Sequence, residues 1–139
     1  MPAESPITID RLDHLVLIVR DIEAACAFYE KVLGMRRVRF GEGRVALHFG
    51  RQKINLHPDP SPHSLVADKP VPGSADLCFI TETPVERVVA HLEACNVAII
   101  GGPIERTGAE GPINSVYVRD PDGNLIEVSN ASGEPKSEP

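Results

Sequence analysis

The chain has no basic run, no apolar run near the ~20 residues that a membrane helix requires, and only three cysteines. The first absence argues against nucleic acid as a partner, and so does the net charge of −6 from 14 basic and 20 acidic residues. The second argues against a membrane-spanning helix. The opening Met1-Pro2-Ala3-Glu4-Ser5-Pro6 lacks the basic and apolar parts of a signal peptide, so a cytoplasmic location is expected. Cys26, Cys78 and Cys95 are odd in number and have no metal-type spacing. They read as buried thiols in a reducing compartment.

What is present is ordinary in bulk: 42% hydrophobic and 24% charged over 139 residues, enough for one domain with a real core. The pattern is more telling. Leu12-Asp13-His14-Leu15-Val16-Leu17-Ile18-Val19 resembles Ser74-Ala75-Asp76-Leu77-Cys78-Phe79-Ile80-Thr81. Each is a short apolar strand with a helix soon after it. Lys53-Ile54-Asn55-Leu56-His57 likewise matches Leu125-Ile126-Glu127-Val128-Ser129. The repeat makes His14 equivalent to Asp76, and Asn55 to Glu127. If the halves pack as pseudo-symmetric partners, these four side chains converge where a metal or an anionic substrate would sit.

Strands are expected over 11–19, 35–40, 44–49 and 53–57 in the first half. A helix is expected over Ile22–Leu33, capped by Asp21 and stopped by Gly34. Residues 58–73 hold five prolines and no periodicity, and read as a linker that doubles as a lid. The second half is expected to hold strands at 75–81, 97–100, 115–119 and 125–129. Thr83-Pro84-Val85-Glu86 has the pattern of a capping box with proline at the first helical position, and the helix it opens should end near Cys95-Asn96. Gly101-Gly102-Pro103 and Thr107 to Gly111 read as loops, and Asp120-Pro121-Asp122-Gly123-Asn124 as a tight turn. The fold class is therefore α+β: two βαβββ modules, at 10–57 and 74–130, in a single domain over 10–130. The ends, 1–8 and 131–139, read as frayed tails.

Asp13-His14, Phe28-Tyr29-Glu30-Lys31-Val32-Leu33-Gly34-Met35 and Asp120-Pro121-Asp122-Gly123-Asn124-Leu125-Ile126-Glu127 resemble the vicinal oxygen chelate, or glyoxalase/bleomycin-resistance/dioxygenase, superfamily. Gln52 to His57, Pro72 to Cys78 and Arg119 to Gly123 look most like its glyoxalase domain-containing protein 5 group. The resemblance implies two βαβββ modules curled into a half-open barrel around a divalent metal. It implies ligands from the first and last strands of each module, a substrate that chelates through neighbouring oxygens, and a homodimer. The matching positions are His14, Asn55, Asp76 and Glu127.

Each residue has a competing reading. His14 is a metal ligand or a hydrogen-bonded core histidine. Strand alternation sends Glu127 to the face opposite Ile126 and Val128. There it is a ligand and proton-transfer group, or a salt-bridge partner of Arg119. Asp76 is a shorter ligand than the family's usual histidine or glutamine, or a loop anchor. Asn55 replaces the glutamate of glyoxalase I enzymes; a neutral amide cannot abstract a proton, so it is assigned to substrate binding. His57, on the same face, is a general base or a replacement ligand; otherwise it is a surface histidine at the mouth of the proline-rich loop. His48, His63 and His91 read as ordinary surface or loop residues. Arg119 and Arg51 offer a fork to an anionic substrate, and Asn114 and Ser115 offer donors. His14, Asp76 and Glu127 make an oxygen-rich face suited to a divalent cation such as manganese, iron, nickel or zinc.

The expected activity is a glyoxalase-like, metal-dependent lyase or isomerase on a small oxygen-chelating substrate, with a methylglyoxal hemithioacetal as the default. A metal-free ligand-binding protein of bleomycin-resistance type and an extradiol-type dioxygenase are the alternatives. Fosfomycin-type transfer is weaker, for want of a phosphonate-binding signature.

Overall fold

The computed structural model describes residues 4–131. Residues 1–3 and 132–139 of the expected tails lie outside them. The first module runs β1 (His14–Val19), α1 (Ile22–Lys31), β2 (Arg36–Phe40), β3 (Arg44–Phe49) and β4 (Gln52–Pro58). The second runs β5 (Asp76–Ile80), α2 (Val85–Ala94), β6 (Gly101–Gly108), β7 (Gly111–Arg119) and β8 (Leu125–Ala131). Both sheets have the same order, first strand beside last: β1-β4-β3-β2 and β5-β8-β7-β6. In each, the first strand runs parallel to the last and the remaining pairs are antiparallel. The βαβββ repeat is thus the architecture of the chain.

The repeat extends to register. Val16, two residues beyond His14, lies beside Asn55, and Cys78, two beyond Asp76, lies beside Glu127. Alternation along each strand then decides what is buried. One face of each sheet carries Leu17, Ile54, Leu56, Val116, Val118, Ile126 and Val128, and these join α1 and α2 in one core shared by both modules. The other face of each sheet is left outside that core.

The Asp120–Asn124 turn joins the modules. Asp120 accepts hydrogen bonds from the Tyr29 hydroxyl on α1 (2.6 Å), the Asn124 amide side chain (2.8 Å), and the backbone N–H groups of Asp122 and Asn124. Asp122 accepts from the Arg20 backbone N–H, and Asn124 from that of Ala75. Edge-to-face packing of Phe49 on Phe79 adds a second contact across the modules.

Four expectations change. The first strand begins at His14, not at residue 11. The capping box does not form: α2 is capped from β8, where Asn130 Oδ1 accepts from the Val85 N–H at 2.8 Å. No strand forms at 97–100. The strand is instead β6, which runs through the Gly101-Gly102-Pro103 segment expected as a loop, with a bulge between Gly101 and Ile104. Only Cys26 is buried; Cys95 is half-buried, and Cys78 is exposed on the outer face of its sheet.

Candidate metal and substrate site

The outer face of the second sheet is built on β5, β8 and β7. Glu127 faces out beside Cys78 and across from Tyr117, and Ser115 lies across from Ser129. The Ser115 hydroxyl donates to Glu127 Oε2 at 2.6 Å. Its only hydrogen is then committed, so the Ser129 hydroxyl, also at 2.6 Å, donates to Ser115 in turn. Cys78 Sγ lies 3.4 Å from Ser129 Oγ and closes the chain of hydrogen bonds. Ser115 and Ser129 are fully buried beneath the half-buried carboxylate. Partial desolvation holds the Cys78 thiol above its ordinary pKa, with the nearby Glu127 and Asp76 carboxylates adding to the effect. It is a protonated donor and not a nucleophile.

No salt bridge joins Glu127 to Arg119, whose guanidinium donates to the Gly123 carbonyl at 3.3 Å. Among the described residues no cation meets the Glu127 carboxylate. Asp76 opens β5 on the same face and is exposed. Asn114 falls on the opposite, helix-covered face, beside Asn130. Arg51 is exposed in the turn between β3 and β4.

The outer face of the first sheet is built on β1 and β4. His14 is exposed and not a core histidine; its Nδ1 lies 2.8 Å from the Asp13 carboxylate. Asn55 is 4% exposed, and no donor reaches its Oδ1. His57 is 7% exposed, buried rather than at the surface. Its Nδ1 lies 3.2 Å from Ser61 Oγ, and its ring packs on that of His63 at 4.3 Å. Its Nε2 is buried without a partner. Burial, with the neighbouring His63 and Arg44, lowers its pKa, so the imidazole is neutral near pH 7. Leu65, Val66 and Pro70 of the 59–73 linker line, with Val16, Ile18 and His57, an open groove of about 440 Å³.

The structure therefore brings Glu127, Asp76 and Ser115 to one face, and His14, Asn55 and His57 to another. Among the described residues, no three His, Cys, Asp or Glu side chains stand together as a metal-holding cluster within one chain. Sequence reasoning missed Ser129, Cys78, Tyr117, Ser61 and the involvement of His63. For Ser129 the signal was available: it lies two residues beyond Glu127 and so shares its face.

A family model described as the Glyoxalase/Bleomycin resistance protein/Dioxygenase superfamily matches residues 11–128. Virulence protein STM3117 of Salmonella typhimurium is 56% identical over 121 residues, 87% of this chain and 84% of that one. Its crystal structure superposes with a TM-score of 0.89, covering 91% of this chain and 100% of the other. Glyoxalase domain-containing protein RDO1 of Mycosarcoma maydis is 47% identical, over 88% of this chain and 69% of its own length. The crystal structure of lactoylglutathione lyase from Agrobacterium tumefaciens, at 27% identity, superposes with a TM-score of 0.67 over 91% of this chain and 96% of that one. By the family match, the relatives and the duplicated βαβββ architecture, the chain belongs to the glyoxalase/bleomycin-resistance/dioxygenase superfamily.

Proposed function

We propose that the chain is a glyoxalase-like lyase or isomerase that acts on a small oxygen-chelating substrate with a divalent cation, in a site completed by a second copy. The observation that carries this reading is Glu127: a half-buried carboxylate, held by Ser115, with no cation partner among the described residues. A carboxylate taken partly out of water without compensation is costly. His14 and Asp76 supply the imidazole and second carboxylate of a donor set that fits a divalent cation. The unpartnered, buried Asn55 oxygen marks a further polar position for substrate. Because His14 lies on one sheet and Asp76 and Glu127 on the other, apposed faces of two chains would complete the set.

A bound cation would polarise the substrate's adjacent oxygens and acidify the neighbouring C–H. Glu127 then carries the proton. The Ser115 hydroxyl donates to Oε2, so Oε1 is the oxygen that takes the proton from one carbon and returns it to the next. Asn55 cannot do this, being an amide at the position equivalent to Glu127. The default substrate is a methylglyoxal hemithioacetal.

Asn55 also favours a second reading, a metal-free ligand-binding protein of the same fold. One experiment separates the two: metal per chain by mass spectrometry, on protein purified without chelator or tag-derived nickel. The expected result is one divalent metal per chain, lost in His14→Ala and Glu127→Ala. Glu127→Gln should lower hemithioacetal turnover by at least about a hundredfold. No metal after incubation with manganese, iron, nickel and zinc would overturn the enzyme reading and leave the binding protein.

A further inference from the structure

The stretch before β1 is apolar and loosely held. Ile7 is 70% exposed, Ile9 78% and Leu12 57%. Ile7-Thr8-Ile9 is a run of β-branched residues with the apolar ones two apart, the pattern of a strand, yet 4–13 form neither strand nor helix. Among the described residues one hydrogen bond ties 4–12 to the rest of the fold: Gln52 Nε2 donates to the Leu12 carbonyl at 2.8 Å.

Gln52 also lines a groove of about 620 Å³ between the modules, walled by α2, the chain just after α1 and the β3–β4 turn. None of His14, Asn55, His57, Asp76 or Glu127 lines it. Cys78, Phe79, Ile80 and Thr81 line it in succession. Successive side chains point to opposite faces of a sheet, so a groove that meets four in a row runs along the edge of the strand. β5 is such an edge, with β8 on one side and no strand on the other. The Ala75 carbonyl and the Thr81 N–H bond toward β8, so by alternation the backbone groups of Cys78 and Ile80 point into the groove. No backbone partner meets them there among the described residues.

Arm and groove are complementary. A strand added to an open edge pairs its main chain there, while its alternate side chains enter flanking pockets. The groove offers Cys78 and Ile80 for the pairing, and Leu33, Phe49 and Val88 as apolar wall for Ile7 and Ile9. Its only charged lining residue is Arg87, which no acid meets among the described residues, and the arm carries Glu4 and Asp10. Yet within one chain the arm stays exposed beside its own groove, with Leu12 held at the rim. We propose that residues 4–12 of one chain form a strand on the β5 edge of a second copy, with Ile7 and Ile9 in that copy's groove. The exchange is isologous, so two chains cover both arms and both grooves at once. It shares the second copy with the proposed site but does not depend on the metal, and neither the arm nor the groove contains a proposed ligand.

The test is an isotope-filtered NMR experiment on an equal mixture of full-length chains, one labelled with carbon-13 and nitrogen-15 and one unlabelled. The labelled Ile7 and Ile9 methyl groups should show contacts to Phe79 and Val88 protons of the unlabelled chain. Contacts found only within one chain would mean that the arm folds onto its own groove, and no contacts that it stays in water; either overturns the exchange. Hydrogen exchange reads the same contact at the backbone. The Cys78 and Ile80 amides should exchange at least about tenfold more slowly in the wild-type chain than in the double variant Ile7→Asp, Ile9→Asp. Both substitutions lie at exposed positions of the arm and leave the fold intact. In sedimentation equilibrium the double variant should raise the dimer Kd by at least about a hundredfold. Equal exchange rates or an unchanged Kd would overturn the proposal. Metal per chain, measured on the same samples, tells its failure from failure of the proposed activity: a metal-loaded chain without arm exchange sinks the one, and arm exchange without metal the other.

Discussion

Asp120 and Tyr29 show how much one pair of residues can hold. The Tyr29 ring is fully buried in the core, and its hydroxyl reaches the Asp120 carboxylate of the other module at 2.6 Å. Tyr29→Phe keeps the ring and removes the donor. A hydrogen bond to a charged acceptor contributes about 1.5–3 kcal/mol, so urea unfolding should show a loss in that range. Asp120→Ala should cost more, because it leaves the Tyr29, Asn124 and Asp122 donors together without an acceptor. The same pair sets a pH dependence. Burial first, and the Asp120 carboxylate second, push the Tyr29 hydroxyl far above its ordinary value of 10.0. The folded chain then keeps a proton that the unfolded chain releases. Stability from this group is intact below about pH 10 and is lost as pH rises further. Tyr29→Phe should flatten that alkaline decline, and an equally steep decline in the variant would count against the assignment.

Among the elements, α2 shows a helix start decided from a distance. Thr83 and Glu86 have capping-box spacing, yet the first N–H of the helix goes to Asn130 on β8. The Asn130 side-chain amide also donates to the Thr81 and Thr83 carbonyls, at 2.9 and 2.8 Å. One side chain thus fixes the β5–α2 connection against the last strand. Asn130→Ala should destabilise by about 2–3 kcal/mol, the sum of a lost cap and two lost bonds, while Thr83→Ala should change stability little. Thermal unfolding of the two variants side by side checks this, and the reverse order would show that the cap is local. Strand β6 escaped the sequence for a related reason. Gly101-Gly102-Pro103 has the composition of a loop, but a Cβ on Gly102 would come within 2.2 Å of the Ser115 carbonyl oxygen on β7. The glycine is there for close strand approach, which composition alone does not distinguish from a turn.

In the whole molecule, the duplication was legible because apolar alternation and the spacing of His14, Asn55, Asp76 and Glu127 recur in both halves. The sequence also carried the sidedness of Glu127, since Ile126 and Val128 had to face the core. It did not carry the burial of His57, which depends on how an aperiodic linker folds back, nor the separation of the four polar positions onto two faces. That separation has a consequence for assembly. The faces outside the shared core carry exposed apolar side chains: Val16 at 42% on the first sheet, Ile80 at 59% and Ile104 at 41% on the second. They also differ in charge: the strands of the first sheet hold no acidic residue, whereas Asp76 and Glu127 stand on the outer face of the second. Apposition of the first sheet of one copy with the second sheet of another would cover the apolar residues and bring His14 toward Asp76 and Glu127. Two such contacts would be equivalent by twofold symmetry, so an assembly of this kind would close at a dimer. Sedimentation should therefore give about twice the chain mass of 15.0 kDa. Ile80→Asp, at an exposed strand end, should yield a folded monomer that has lost its metal along with its partner. A monomeric wild-type chain that still holds one metal per chain would show that the donor set closes within a single copy, and would remove the second copy from the site.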